Sequence, residues 1–261
     1  MLDKIFVWDK ELATQEILQT YQQQWSCIVN FLYFANAMKR RLFEQPRDYK
    51  DITYKHSLLE WDYLLPDGIA LQTFYKIYTG TLLHNLNGTD FVPYLLWEIS
   101  KNHSLSIYLY QCFDPAKGKT PESLQHWVDA LHEMYSEVLL PRADQCHYTS
   151  RGEEFDRDWL THTLSEDRSE IRVFLNCTGT PFQELWVQEH RDFFAQHWFL
   201  VLNAGGLIDY LTWYETRAPA WVVRARVLET FWRIAKHPNK NLHKFLSMFG
   251  VFRFLIIKKY F

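Results

Sequence analysis

Two short stretches of this 261-residue sequence place polar side chains where a chain commonly meets its ligands. In "LLPDGIAL", residues 64–71, the acid Asp67 stands between a short apolar run and the start of a helical one. In "GTPFQELWVQEHR", residues 179–191, Gln183 and Glu184 follow a Gly-Thr-Pro turn, and that turn follows another apolar run. Both read as strand-to-helix corners. In an α/β fold such corners lie at the carboxyl end of the sheet, where ligands bind and the free N–H groups of a helix start favour anions. The simpler alternatives are a capped helix start with a surface Gln and Glu, and an ordinary Asp-Gly turn at Asp67.

The elements that would hold these corners show as changes of periodicity. Ile171 to Leu175 is short, apolar apart from Arg172 and partly β-branched, which predicts a buried strand ending near Asn176. Leu185, Trp186, Val187, Phe193 and Phe194 then recur at roughly helical spacing, and Pro181 suits a first helical turn. Upstream, "QWSCIVNFLYFANAM" at 24–38 reads as a buried strand running into a helix. Tyr63 to Leu65 reads as a strand, Pro66-Asp67-Gly68 as a turn and Ile69 to Tyr78 as a helix. "FVPYLLWEIS" predicts a helix, "LSIYLYQCF" a strand and "TPESLQHWVDALHEMY" a helix; "HWFLVLNAGGLIDYL" predicts a strand closed by a Gly-Gly turn. Strands alternating with helices in this way predict a Rossmann-like α/β body, with a mostly parallel sheet and helices on both faces. That body is expected over 1–208. Residues 209–261, basic and aromatic with a break at His237-Pro238-Asn239, read as an appended helical segment.

Composition narrows the function classes. A chain that is 48% hydrophobic and 17% aromatic packs a core and is not disordered. The net charge of -3 conceals a split: from Leu211 to Phe261 there are ten Lys or Arg against two acids, Glu215 and Glu229, a balance of +8 that leaves -11 for the first 210 residues. A basic end of this kind suits phosphates, anionic lipid or nucleic acid. The acidic body and the lack of a recognition-helix or RNA-binding motif argue against nucleic acid. Cys27, Cys112, Cys146 and Cys177 show no zinc-like or paired spacing, so free thiols in a reducing, cytosolic compartment are expected. The acidic amino terminus does not read as a signal peptide, and no run is long and apolar enough to span a bilayer.

Taken together, "LLPDGIAL" at 64–71, "NGTDFVPYL" at 87–95, "GTPFQELWVQEHR" at 179–191, "NAGGLIDYLTWYETRAPAW" at 203–221 and "LETFWRIAKHP" at 228–238 resemble the WecG/TagA/CpsF glycosyltransferases. The resemblance implies transfer of a sugar from a UDP-sugar donor to a polyprenyl-diphosphate-linked sugar acceptor at the cytoplasmic membrane face, in the synthesis of bacterial surface polymers. It also implies inversion at the anomeric centre, no bound metal and no other cofactor. By the family pattern Asp67 is the catalytic base, and Gln183 lies in the substrate pocket with Thr180 and Glu184 of the same element and Gly68 beside the base. Gly88 and Asp90 match a Gly-Ser/Thr-Asp element, read as part of the donor pocket or as a helix cap. Asn30 matches the Asn of a Thr-x-Asn element whose Thr is absent here. Arg217 and Arg233, with Arg224 as a further candidate, would stabilise the leaving diphosphate. The basic appendage would complete the site and rest peripherally on an anionic membrane, or its charges would simply face water. Asp156-x-Asp158 resembles the metal-binding Asp-x-Asp of other glycosyltransferases, but it follows no apolar strand and reads as a solvated charge run. The missing Thr leaves one alternative open, a non-catalytic member that binds lipid-linked sugar or a partner enzyme.

Overall fold

A computed structural model describes residues 4–33, 49–112, 146–149 and 156–207, together with Trp232 and Ala235. Six strands form one sheet: β1 Cys27–Tyr33, β2 Tyr63–Asp67, β3 Leu105–Cys112, β4 Cys146–Thr149, β5 Ile171–Asn176 and β6 Phe199–Asn203. Their order across the sheet is β2-β1-β6-β5-β3-β4, and every neighbouring pair is parallel. The chain therefore moves outward from β1 to β2, crosses to the far side for β3 and β4, and returns inward through β5 to β6. All six strands point their carboxyl ends to one edge, which is where an open parallel sheet offers a binding site.

Sequence alternation sorts the core into two layers. Cys27, Val29 and Phe31 of β1 join one apolar cluster, as do Val173 and Leu175 of β5 and Leu200 and Leu202 of β6. Ile28 and Leu32, Phe174, and Phe199 and Val201 join the other. Because both faces are covered, the strands read as near-continuous apolar runs rather than as alternating ones. Helices α1 Lys10–Gln24 and α4 Gly88–Ser100 cover the first face. Helices α2 Tyr49–Leu59, α3 Ile69–Thr79, α5 Arg157–Ser165, α6 Phe182–Glu189 and α7 Arg191–Gln196 contribute to the second. This is the Rossmann-like arrangement the strand and helix pattern predicts.

Aromatic packing fixes the helix that matters most to the site. Trp186 of α6 stacks on Tyr110 of β3 at 4.6 Å and on Phe174 of β5 at 5.9 Å between ring centroids. Phe194 of α7 packs on Phe174 at 4.8 Å. Offset-stacked and edge-on rings of this kind bury large areas and add directional preference, so α6 has one seat on the sheet. Gln188 and Arg191 also donate to Glu60, at the end of α2, by its side chain and carbonyl respectively.

Some elements differ from the sequence reading. Strand β2 continues through Pro66 to Asp67 rather than ending at Leu65. As the outermost strand of the sheet, β2 tolerates a residue with no N–H, and the Pro66 carbonyl accepts from Leu86 N at 3.0 Å. Pro181 stands one residue before α6, at its cap position, rather than within its first turn. Helix α2, over 49–59, lies in a stretch where the sequence reading places no element. The helix expected at 120–135 and the helical appendage over 209–261 lie outside the described residues, apart from Trp232 and Ala235.

Candidate active site

The three strands at the middle of the sheet, β1, β6 and β5, each carry an asparagine at the same register: Asn30 pairs with Asn203, and Asn203 with Asn176. All three are buried. Asn176 organises the turn that follows β5. Its Oδ1 accepts from Thr178 N at 3.2 Å and from Thr178 Oγ1 at 2.7 Å, while its Nδ2 donates to the Gln183 carbonyl at 3.3 Å. An Asn that bonds its own backbone two residues on is a local turn device. Here it also ties that turn to the first turn of α6. Ala204 N donates to the Asn176 carbonyl at 3.0 Å, so the turns after β5 and β6 are joined.

Gln183 and Glu184 stand above this junction in one hydrogen-bonded cluster. Gln183 Oε1 accepts from Gly179 N at 3.2 Å; its Nε2 donates to Glu184 Oε1 at 3.1 Å and to the Asn203 carbonyl at 3.4 Å. Glu184 Oε1 also accepts from Thr180 Oγ1 at 2.7 Å. Glu184 has no exposed surface and Gln183 almost none. A buried carboxylate is tolerable only when donors meet it, and two side chains donate to its Oε1 here. Gly205 makes the close packing possible: a Cβ there would lie 3.1 Å from Gln183 Oε1 and 3.7 Å from Gly179 Cα. The backbone of Gly179 has φ +90°, which suits glycine.

Asp67 and Gly68 occupy the same edge of the sheet at the end of β2, where Asp67 is in register with Tyr33 of β1. Asp67 is partly buried. Gly68 adopts φ +90° as the chain turns into α3, and its N–H donates to Asn85 Oδ1 at 3.0 Å. Two strands, β1 and β6, separate β2 from β5. The fold thus gathers Asn30, Thr180, Gln183 and Glu184 near the middle of the carboxyl edge and sets Asp67 and Gly68 at its β2 end.

Gly88 and Asp90 form a helix start. Asn87 caps α4, its Oδ1 accepting from Asp90 N at 3.0 Å, while Asp90 Oδ2 accepts from Asn87 Nδ2 at 3.0 Å. A Cβ on Gly88 would touch the Phe31 ring at 3.4 Å, so the glycine lets α4 approach β1. The cap half of the two-way sequence reading is therefore realised. Asp156 has the same kind of task, accepting from Trp159 N at 2.7 Å at the start of α5. Among the described residues no three His, Cys, Asp or Glu side chains group as metal ligands. Arg217, Arg224 and Arg233 lie outside the described residues.

Asn176, Thr178, Asn203 and Gly205 were not singled out in the sequence. A usable signal was present in that the apolar runs "CIVN", "IRVFLN" and "FLVLN" each reach an asparagine. Their alignment into one row depends on strand pairing, which no single run encodes.

Among the described residues no helix is long and apolar enough to cross a membrane. The chain is similar to the N-acetylglucosaminyldiphosphoundecaprenol N-acetyl-beta-D-mannosaminyltransferase of Bacillus subtilis (strain 168), 24% identical over 189 residues, which cover 72% of this chain and 66% of that enzyme. It thus spans just under two thirds of the relative's length. A sequence model described as "Glycosyl transferase WecG/TagA/CpsF family" matches residues 5–261, nearly the whole chain, and with the parallel α/β fold and the Gln-Glu corner it shows that this protein belongs to the WecG/TagA/CpsF family of glycosyl transferases.

Proposed function

We propose that this protein transfers a sugar from a UDP-sugar, N-acetylmannosamine-like or another hexose, to a polyprenyl-diphosphate-linked sugar in bacterial surface-polymer synthesis, with inversion and without a metal. The observation that carries the reading is the hydrogen-bonded Thr180–Gln183–Glu184 cluster at the carboxyl edge of the sheet, in a chain of a glycosyl transferase family. In this scheme Asp67 removes the proton from the acceptor hydroxyl as that oxygen attacks the anomeric carbon, opposite the departing UDP. Negative charge then gathers on the diphosphate, and Arg217, Arg224 and Arg233 neutralise it. Gln183 acts in the substrate pocket, and Glu184 positions it and Thr180. Residues 209–261 complete the site and bring the enzyme to the anionic cytoplasmic face of the membrane.

The test is release of UDP from a panel of UDP-sugars, with and without a prenyl-diphosphate-linked acceptor and without added metal, by the wild type and Asp67→Asn. Acceptor-dependent release that the substitution reduces at least a hundredfold supports the reading, general-base catalysis being worth about 10²–10⁴. A second reading, a non-catalytic member that binds lipid-linked sugar, draws on Ile28. This buried apolar residue lies two positions before Asn30, where the family's Thr-x-Asn element has Thr. Acceptor binding without turnover of any donor would favour it.

A further inference from the structure

Helix α3 and the extended return after it form an excursion that leaves the sheet beside Asp67 and comes back to it. Leu71, Phe74 and Tyr75 bury the inner face of the helix in the second core cluster. Gly80 ends the helix at φ +82° and reverses the chain. Gln72 Nε2 donates to the Leu83 carbonyl at 2.7 Å, so the return lies along the helix. Gly68 N donates to Asn85 Oδ1 at 3.0 Å and Leu86 N to the Pro66 carbonyl at 3.0 Å, which ties both ends next to Asp67. The 11 helical residues carry the tip about 16 Å away from Gly68.

The surface of that tip differs from the rest of the body. Lys76 to Leu82 are exposed without interruption, and among them Ile77, Tyr78 and Leu82 are 38%, 58% and 59% exposed. Single exposed apolar residues are ordinary, but three within six positions make a patch. The Tyr78 ring is steadied by stacking on Phe74 at 5.9 Å between centroids. No Asp or Glu occurs between Asp67 and Asp90, in a body whose balance is -11, whereas Lys76 stands within the patch and His84 just beyond it. The polar groups of the turn are spent on one another: Gly80 N donates to the Lys76 carbonyl at 2.9 Å, Thr79 Oγ1 to the Tyr75 carbonyl at 2.8 Å and Thr81 N to Thr79 Oγ1 at 3.2 Å. A turn bonded internally leaves water at low cost. A Cβ on Gly80 would meet no atom within 4 Å among the described residues, so the tip stands clear of the body.

These properties choose between occupants. Three side chains and one turn fall well short of the about 800 Å² per partner that a stable protein interface buries. A bilayer asks for less: apolar side chains on a projecting element, an amphipathic ring, a cation and no acid to be repelled. We propose that the tip of this excursion, Ile77, Tyr78 and Leu82 with Lys76, inserts shallowly into an anionic bilayer, as a membrane contact of the α/β body itself and separate from the basic appendage. Ile77 and Leu82 enter the boundary of headgroups and acyl chains, Tyr78 keeps its hydroxyl among the headgroups, and Lys76 reaches the lipid phosphates. Asp67 then stands within about 16 Å of the surface, on the strand from which the excursion leaves. The proposal shares a membrane-held acceptor with the glycosyl transfer reading but not its chemistry. Vesicle contact can fail while transfer to a short, water-soluble acceptor succeeds, and the reverse.

The test uses the full chain with phosphatidylglycerol vesicles at 0.1 M salt and compares the wild type with the triple variant Ile77→Ser, Tyr78→Ser and Leu82→Ser. Sedimentation of the variant with the vesicles should weaken about tenfold, with its melting close to that of the wild type because the three side chains are exposed. Hydrogen exchange of the wild type over 76–82 should slow when vesicles are added. Exchange there that ignores vesicles, or a variant that sediments as the wild type does, overturns the proposal. It is also overturned if the wild type self-associates and the variant does not, since a second copy then covers the patch. Should the triple variant not fold, Leu82→Asp, placed after the helix, carries the same comparison with the same overturning result.

Discussion

Gln183 is held at each polar atom of its side chain, and so its substitutions separate geometry from bulk. Gly179 N donates to its oxygen, and its nitrogen serves both Glu184 and the Asn203 carbonyl. Gln183→Glu keeps the shape but turns the nitrogen into an acceptor that faces the Glu184 carboxylate and a backbone carbonyl. Two buried carboxylates in contact repel, and one must take up a proton or move. We therefore expect Gln183→Glu to lower stability by about 2–4 kcal/mol at neutral pH, with some recovery on acidification, and to abolish measurable transfer; urea unfolding at pH 5 and pH 8 checks the first part. A variant as stable as wild type at pH 8 would show that the cluster is looser than its distances imply. The sequence made Gln183 and Glu184 visible because a Gly-Thr-Pro turn between an apolar run and helical spacing is a local signal. It could not reveal that Asn203 meets Gln183, because 20 residues and a strand pairing separate them.

Whole elements were legible where their signal was local and strong. The strands at 27–33, 171–176 and 199–203 are apolar runs bounded by turn residues, and α4 and α6 keep helical spacing up to clear caps. Helix α1, "KELATQEILQTYQQQ", was missed because only Ala13, Thr14, Ile17 and Tyr21 are buried, too sparse a stripe to stand out among Gln and Glu. Strand β4 has four residues, "CHYT", and exists through its pairing with β3. Asp167 illustrates the same limit. It lies in the turn between α5 and β5, yet it binds β3: Tyr108 Oη donates to it at 2.6 Å and Ser106 Oγ at 3.0 Å, with Ser169 N at 2.8 Å and the Arg172 guanidinium at 3.4 Å. Burial alone would raise its carboxyl pKa, but the hydrogen bonds from Tyr108, Ser169 and Ser106 outweigh it and hold the group below its usual range. A carboxyl with a depressed folded pKa adds stability that is fully present above its unfolded pKa, near 4, and is lost as pH falls through the lower folded value. Asp167→Asn should thus destabilise by about 1–3 kcal/mol at pH 7, and its melting temperature should converge on the wild type's as pH drops below about 4. A constant gap across that range would mean that charge is not what ties β3 to β5.

At the scale of the molecule, the uneven charge is the property that the fold itself does not require. An acidic body of -11 would be repelled by an anionic bilayer, whereas the last 51 residues carry +8 with Trp221, Trp232 and Phe245 spaced among the cations. Attraction of that end and repulsion of the other would orient the protein with its basic segment toward the lipid, an effect that extends only about 8 Å from the surface at physiological salt. On the proposed function, an acceptor embedded by its prenyl chain would then be met at the interface rather than in bulk water. If this is how the enzyme finds its acceptor, each Lys near the surface is worth about 1 kcal/mol of binding. Replacing Lys236, Lys240 and Lys244 together by Gln should weaken sedimentation with phosphatidylglycerol vesicles by up to about a hundredfold at 0.1 M salt. Wild-type binding should fall steeply between 0.05 and 0.5 M salt and be weak to vesicles of phosphatidylcholine alone, tests on the order of those that separate charge from apolar insertion. Equal binding to both vesicle types, or full retention by the triple variant, would place the membrane contact in the aromatic residues instead and leave the charge split to solubility alone.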